Sequence, residues 1–331
     1  MTSNNKKTIA VVGATGIQGS SVARTFATLP TWNVRCLTRD PSSQKSQDLA
    51  KLGCDVVRAD LADAASLRGA FDGAHAIFLN TDFWGPYRAL LAAGVESEAA
   101  SRSAYDVEVS HGKNAVAAAA GAPALERMVY SALGPMKAAS DGKYPHAYHW
   151  ETKASIVNYI EEEQPQVAEK TSYVYIGAYI DNRLLYPKLD TSTGEYSLVL
   201  PGKSQTMFPI IDTAQSTGPF VKALIEGEAP GTKLLAYDSY MSIGEVVEVW
   251  SRVTGKPARF VSSTIEEMRK LTGLPAEILD GPAFIDEFGY TAGIANVIGP
   301  DALKTKVETR GFEEWLRTKD VQELLEGNVK M

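Results

Sequence analysis

Three glycines spaced three apart, Gly13, Gly16 and Gly19, interrupt the opening stretch TIAVVGATGIQGSS. The run before them, Thr8 to Val12, reads as a buried strand. The stretch after them, SSVARTFATL, carries Val22, Phe26 and Leu29 at helical spacing. A strand, a glycine turn and a helix in direct succession leave few folds open. Gly13 permits the tight turn, Gly16 leaves room for a phosphate against the backbone, and Gly19 lets the helix pack closely on the sheet. Free N–H groups at the helix start favour an anion, so the turn is expected to hold the pyrophosphate of a dinucleotide. The spacing is G-x-x-G-x-x-G rather than G-x-G-x-x-G, and its strand–turn–helix setting carries the expectation.

The alternation continues. NVRCLT is the second strand, with SQDLAKL as a helix behind it; DVV begins the third, AHAIFLN is the fourth, RMVYSAL the fifth and TSYVYIG the sixth. Between them fall an alanine-rich helix from about Tyr105 to Ala120 and another from near His149 to about Glu162. This rhythm predicts an α/β fold, a Rossmann-type doubly wound parallel sheet covered on both faces. Beyond about Asp181 the rhythm breaks. EYSLVLPGKSQTMFPIID predicts two short strands around a Pro-Gly turn, and TAQSTGPFVKALIEG a helix interrupted at Gly218-Pro219. KLLAYD reads as a strand and SIGEVVEVWSRVTG as a helix ended by Gly255. The expected division is an NAD(P)-binding Rossmann domain over 1–180 and a smaller α+β C-terminal lobe over 181–331. No clean linker bars the chain from crossing between them.

The end of the second strand selects the dinucleotide. An NAD site usually carries Asp or Glu there, to accept from the ribose 2′-OH. Here CLTRD puts Arg39 at that point, and its guanidinium fork suits a 2′-phosphate. Asp40 follows with the carboxylate that an NAD ribose would use, so NADP(H) is favoured with NAD still open. After the third strand, Asp60 is a candidate acceptor for the adenine amine and Leu61 a packing partner.

The remaining composition narrows the classes. A net charge of −7 with no cluster of Lys and Arg argues against a nucleic-acid-binding face. Cys36 and Cys54 read as small buried hydrophobes, with no disulfide framework, which fits a reducing compartment. The polar start MTSNNKK lacks the apolar core of a signal peptide, and NAVAAAAGAPAL is too short and broken to cross a bilayer. A cytoplasmic location, or a nuclear one, is the expectation. His75, His111, His146 and His149 show no metal-binding spacing, and HAYH is not backed by carboxylates in a recognisable motif, so no metal site is expected.

GATGIQG, VRCLTRDP, VVRADLAD, AIFLNTDFW and MVYSALG together resemble the NmrA-like proteins, atypical members of the short-chain dehydrogenase/reductase superfamily. The resemblance extends into HWETKASIVNYI, YIGAYIDN and LPGKSQTMFPIIDTAQSTGPFV. It implies a Rossmann domain, a smaller lobe, a cleft between them and NADP(H) as cofactor. On the matching positions it implies Gly13, Thr15, Gly16, Ile17 and Gln18 at the phosphates and Arg39 at the 2′-phosphate. It further implies Asn80, Thr81 and Asp82 near the nicotinamide ribose, and Lys153 with the stretch from Ala178 through Tyr179 to Asn182 at the nicotinamide end. Two features depart from the family pattern. Ser42 and Ser43 precede Lys45 where a second basic residue often follows the arginine. The segment GPYRALLAAGVESEAASRSA after Trp84 is longer than the corresponding loop: a lid, a partner surface, or an extra helix and loop.

Dehydrogenases of the superfamily use Tyr-x-x-x-Lys with a serine. The tyrosine passes a proton, and the lysine holds the ribose and depresses the tyrosine pKa. Here HWETK keeps Lys153 but puts His149 at the proton-donor position, four residues away on one helix face. Ser131, at the end of the fifth strand, stands where the superfamily serine would be. His149 reads as a general acid, as a residue that only shapes the cofactor pocket, or as a locally satisfied helix-start residue. Tyr148 is one position out of register, and Tyr179 is a further candidate donor. Two functions remain. One is an NADP(H)-responsive sensor or regulator acting through a protein partner, as some family members are, favoured by the replaced tyrosine. The other is an NADPH-dependent oxidoreductase reducing a small carbonyl, imine or alkene substrate, as relatives in secondary metabolism do. Neither requires direct contact with nucleic acid or membrane.

Overall fold

The computed structural model describes residues 6–326; most of the polar start and the last residues of the chain lie outside it. The first half runs β1 (Lys7–Val11), α1 (Ile17–Ala27), β2 (Trp32–Thr38), α2 (Gln44–Lys51), β3 (Asp55–Arg58), α3 (Ala64–Phe71) and β4 (Ala76–Leu79). It continues through α4 (Trp84–Ala92), α5 (Ser97–Ala120), β5 (Arg127–Ala132), α6 (Met136–Ala139), α7 (Tyr148–Asn158), α8 (Pro165–Ala168) and β6 (Thr171–Ile176). The second half comprises β7 (Ala178–Tyr179), β8 (Lys188–Asp190), β9 (Glu195–Pro201), β10 (Met207–Ile211), α9 (Thr213–Glu226), β11 (Lys233–Ala236) and β12 (Ser239–Ser242). It closes with α10 (Ile243–Thr254), β13 (Ala258–Ser263), α11 (Ile265–Thr272), α12 (Ala276–Phe288), β14 (Val297–Ile298), α13 (Phe312–Leu316) and α14 (Val321–Leu325).

Eight strands form one parallel sheet in the order β14-β11-β6-β5-β4-β1-β2-β3. Strands buried on both faces are largely apolar, and every residue of AIFL in β4 and of TSYVYI in β6 is buried, the polar Thr171 and Ser172 included. β1 pairs with β2 on one side and β4 on the other, so the strand order reverses between β1 and β4. Open α/β sheets take their ligands in the crevice outside the C-terminal strand ends at such a reversal. One face of the sheet is packed by residues such as Leu67, Val116, Tyr130 and Ile156, the other by Phe26, Val129, Phe220 and Leu224.

The second half does not stay in one lobe. β11 and β14 extend the large sheet, and α9 packs on α1. The expected interruption of α9 at Gly218-Pro219 does not occur: the helix is continuous. Gly218 is instead a point of close approach. A Cβ there would lie 2.1 Å from Thr25 Oγ1 and 2.4 Å from the Ser21 carbonyl oxygen. Its N–H donates to Ser21 Oγ at 3.0 Å. The two strands around Pro201-Gly202 also separate. β9 joins β8 and β13, while β10 joins β7 and β12, in two three-stranded sheets. α10 and α11 are the cleanest local readouts of sequence, each with a reciprocal Ser/Thr–Glu capping box at its start and a left-handed glycine at its end.

The segment after Trp84 is α4 and the first turns of α5, which starts well before the expected 105. Phe83, Tyr87, Ala100 and Ala104 bury one another there, with Trp84 and Tyr148 alongside. Among the described residues no helix is long and apolar enough to cross a membrane.

Candidate cofactor site

The glycine turn is held to the crevice by its backbone. The Val12 N–H donates to the Phe78 carbonyl at 2.9 Å, so β1 stays zipped to β4 up to the turn. Gly13 has φ +70°, and the Gly16 N–H returns to the Gly13 carbonyl at 2.9 Å. A Cβ on Gly19 would lie 2.2 Å from that same carbonyl oxygen, so no side chain is compatible with α1 sitting on the turn. Gly16 is exposed and caps α1 without a side-chain bond, leaving the positive helix end uncovered. Thr15 and Ile17 flank it, half-buried. Gln18 is buried; its Nε2 donates to the Tyr179 hydroxyl at 2.8 Å, and its Oε1 has no hydrogen-bond partner among the described residues.

At the end of β2, Arg39 is exposed and makes no hydrogen bond or ion pair among the described residues. Asp40 is committed elsewhere. Its Oδ1 accepts from the Ser42 N–H at 2.9 Å and the Ser42 hydroxyl at 2.5 Å, which holds its carboxyl below the usual range. Asp60 Oδ1 accepts from the Ala62 N–H at 2.9 Å, and the Leu61 carbonyl accepts from Asn114 Nδ2 at 2.9 Å. His111 on α5, not anticipated from sequence, faces this end. Burial pushes its imidazole down, Asp60 opposes that, and Arg39 adds to it.

Across the crevice the construction changes. Lys153 Nζ, from α7, donates to the Thr81 carbonyl at 3.2 Å and Thr81 Oγ1 at 3.3 Å, and lies 3.4 Å from Asn80 Oδ1. It also pairs at 3.2 Å with Glu108 of α5, whose side chain is 0% exposed. Glu108 accepts two further bonds, from Thr81 Oγ1 at 2.5 Å and Thr152 Oγ1 at 2.6 Å. A buried carboxylate survives only with such saturation. Gly112 makes it possible: a Cβ there would lie 2.4 Å from Ile156 Cδ1, so α5 and α7 approach closely one turn beyond Glu108. Asn80 also borders the glycine turn, its carbonyl 3.6 Å from where a Gly13 Cβ would be. Asp82 is exposed and accepts from the Gly85 N–H at 3.1 Å, at the start of α4.

His149 lies one turn before Lys153, its ring 4.8 Å from that of Trp84 and 6.0 Å from that of Phe83. Its Nδ1 is 2.6 Å from Glu277 Oε1 of α12, and its N–H donates to the same oxygen at 3.0 Å. The HAYH pair, read from sequence as unbacked by carboxylates, is therefore backed: Glu277 holds His149, and Asp280 holds His146 at 3.1 Å. Sequence proximity could not reveal this, because both carboxylates come from a distant helix. Among the described residues no group of three or more His, Cys, Asp or Glu could hold a metal. Tyr179 reaches the crevice from β7; burial raises its phenol pKa, while the Gln18 bond lowers it. Ser131 is buried in β5 and makes no side-chain hydrogen bond among the described residues. Asn182 is exposed and accepts from the Leu184 N–H at 3.0 Å, capping a short turn.

The sequence pattern of the NmrA-like family matches residues 5–316. The chain belongs to this family. This NmrA-like protein is 28% identical over 265 residues to the NmrA-like family domain-containing oxidoreductase hkm9 of Aspergillus hancockii, covering 76% of this chain and 74% of that one. Among solved structures it resembles NmrA, a negative transcriptional regulator, with TM-score 0.71 at 22% identity over 94% and 95% of the two chains. It also resembles the NADPH-dependent quinone oxidoreductase QOR2 of Escherichia coli, complexed with NADPH, with TM-score 0.65 at 18% identity over 94% and 99%. These structural likenesses establish the shared fold.

Proposed function

We propose that this NmrA-like protein binds NADP(H) across the crevice and works as an oxidoreductase on a small-molecule substrate. The observation that carries the reading is the buried Lys153–Glu108–Thr81 network at the strand-order reversal. An apolar cluster of the same volume would be at least as stabilising there, so a fixed cation beside Asn80 argues for a ligand. The residues suit the cofactor. The uncovered start of α1 and the unpartnered Gln18 Oε1 border the phosphate position, and Arg39 stands uncommitted for a 2′-phosphate while Asp40 is engaged by Ser42. Bound NADPH would supply a hydride. Lys153 would hold the ribose hydroxyls. His149 would give up a proton from Nε2, behind the water-excluding rings of Phe83 and Trp84. The name of hkm9 and the activity of QOR2 support this class.

A second reading, an NADP(H)-responsive regulator with a protein partner, is favoured by one observation: His149 stands where the superfamily tyrosine would be. The deciding experiment measures NADPH oxidation against a panel of quinones, aldehydes, ketones and imines, in wild type and His149→Phe. Turnover is expected, falling by about 10²–10⁴-fold in the variant, the usual share of a general acid. Turnover that survives His149→Phe would remove the histidine as donor and turn attention to Tyr179. An inert panel, with NADPH and NADP⁺ conferring different protease sensitivity on residues 84–104, would favour the regulator.

A further inference from the structure

The N-terminal turn of α7 is capped from another part of the molecule. Its own cap residue, Ala147, has no side chain that can accept a bond. Glu277, the second residue of α12, does this instead. Oε1 accepts from the His149 N–H at 3.0 Å and Oε2 from the Tyr148 N–H at 3.2 Å. Asp280, one helical turn further along α12, accepts from the His146 N–H at 2.9 Å. The two carboxylates are 2% and 3% exposed. Burial raises the Asp280 carboxyl, and the bonds from His146 oppose that shift. Both backbone bonds use the Glu277 side-chain oxygens as acceptors, one on each oxygen.

That arrangement constrains the His149 ring. Nδ1 sits 2.6 Å from Oε1 of a carboxylate already oriented by two amides. The proton on Nδ1 is therefore retained in both ring states, and Nε2, which makes no hydrogen bond among the described residues, is left to exchange protons. The ring is 18% exposed on its side chain and walled by Trp84 and Phe83, so it has access without being bathed. The geometry points to Glu277 as a positioning residue, supplied by α12, that fixes His149 in its Nδ1–H tautomer and so makes Nε2 the proton-donating atom. The inference rests on the oxidoreductase reading for its use. The substrate carbonyl carbon would gain a hydride supplied by bound NADPH, which would leave as NADP⁺, and the carbonyl π pair would move to oxygen. That oxygen takes the proton from Nε2, the N–H electrons stay on the ring, and the neutral ring keeps Nδ1–H against Glu277. Solvent then returns the Nε2 proton.

The test is ¹⁵N NMR of the full chain, with the His149 ring nitrogens identified by their loss in His149→Phe, at a pH where the ring is neutral. The expected wild-type ring is protonated at Nδ1, and Glu277→Gln should shift it toward protonation at Nε2. A wild-type ring protonated at Nε2, or an unchanged preference in Glu277→Gln, would overturn the inference. The wild-type spectrum needs no substitution, so a variant that fails to fold does not remove the test. On any substrate the panel yields, Glu277→Gln should lower kcat by on the order of 10²–10⁴-fold, as loss of the correct tautomer does in hydrolytic triads, with NADPH affinity unchanged. Equal losses in kcat and NADPH affinity would mark Glu277 as merely structural and overturn its positioning role. An inert panel with the Nδ1–H tautomer intact would instead overturn the oxidoreductase reading and leave the tautomer assignment supported.

Discussion

The two ends of the crevice are built from different materials. At the glycine turn the contacts are backbone: a carbonyl accepting from Gly16, a zipped Val12, and an uncapped helix start. At the Lys153 end they are side chains drawn from the loop after β4, from α5, from α7 and from α12. A backbone site tolerates change only where a Cβ fits. A side-chain site tolerates change only where no buried charge is left alone. The two ends should therefore fail in different ways when mutated.

The largest effect is expected at the side-chain end. Lys153→Ala leaves the fully buried Glu108 without its cation, which should cost about 3–5 kcal/mol of stability. Lys153→Met combined with Glu108→Gln should recover most of it, since neither partner is then charged. Urea denaturation of the three chains checks this. A loss below 1 kcal/mol in the single variant, by the measure of exposed pairs, would mean that Glu108 finds solvent or another partner.

Gly19→Ala comes next. With a Cβ only 2.2 Å from the Gly13 carbonyl oxygen and 2.9 Å from the Ala14 Cα, α1 must lift from the turn. A cost on the order of 1–3 kcal/mol is expected, as for overpacking. Gly16→Ala is the milder comparison: its nearest contact, the Gly13 carbonyl oxygen, would be 3.2 Å away and need give by only a few tenths of an ångström, so the loss should be smaller than for Gly19→Ala. Thermal unfolding of both variants makes the comparison, and equal losses would contradict the geometry.

The smallest effect is expected at Asp40. Its carboxylate serves Ser42 and is exposed, so Asp40→Ala should leave stability nearly unchanged and NAD⁺ affinity unaltered. A marked loss of NAD⁺ binding in that variant would show that Asp40 turns from Ser42 to a ribose.

The same contrast explains what could be read in advance. The glycine turn is contiguous in sequence, and its meaning depends only on a strand before it and a helix after it. The six-strand rhythm of the first half is equally local. Glu108 and Glu277 escaped because a glutamate on a helix ordinarily faces water, and each partner lies far away along the chain. A signal was present all the same. Ala100, Ala104, Gly112, Ala115 and Ala119 mark one stripe of α5, and Glu108 sits within it; Glu277 shares a stripe of α12 with Asp280 and Phe284. A charge inside a buried stripe calls for a partner, though not for which one. The placement of α9 on α1, and of β11 and β14 in the large sheet, was illegible for another reason. Their sequences specify a helix and short strands, and only long-range contacts such as Gly218 against Ser21 decide which layer they join.

NADP(H) selection by Arg39 is the most direct point of attack on this view of the crevice. Calorimetric titration of wild type and Arg39→Ala with NADP⁺ and NAD⁺ measures it. The expected result is tighter binding of NADP⁺ by the wild type and a loss of about 1.5–3 kcal/mol for NADP⁺ in Arg39→Ala, with NAD⁺ affinity nearly unchanged. Equal losses for the two dinucleotides, or a wild type that binds neither, would contradict it.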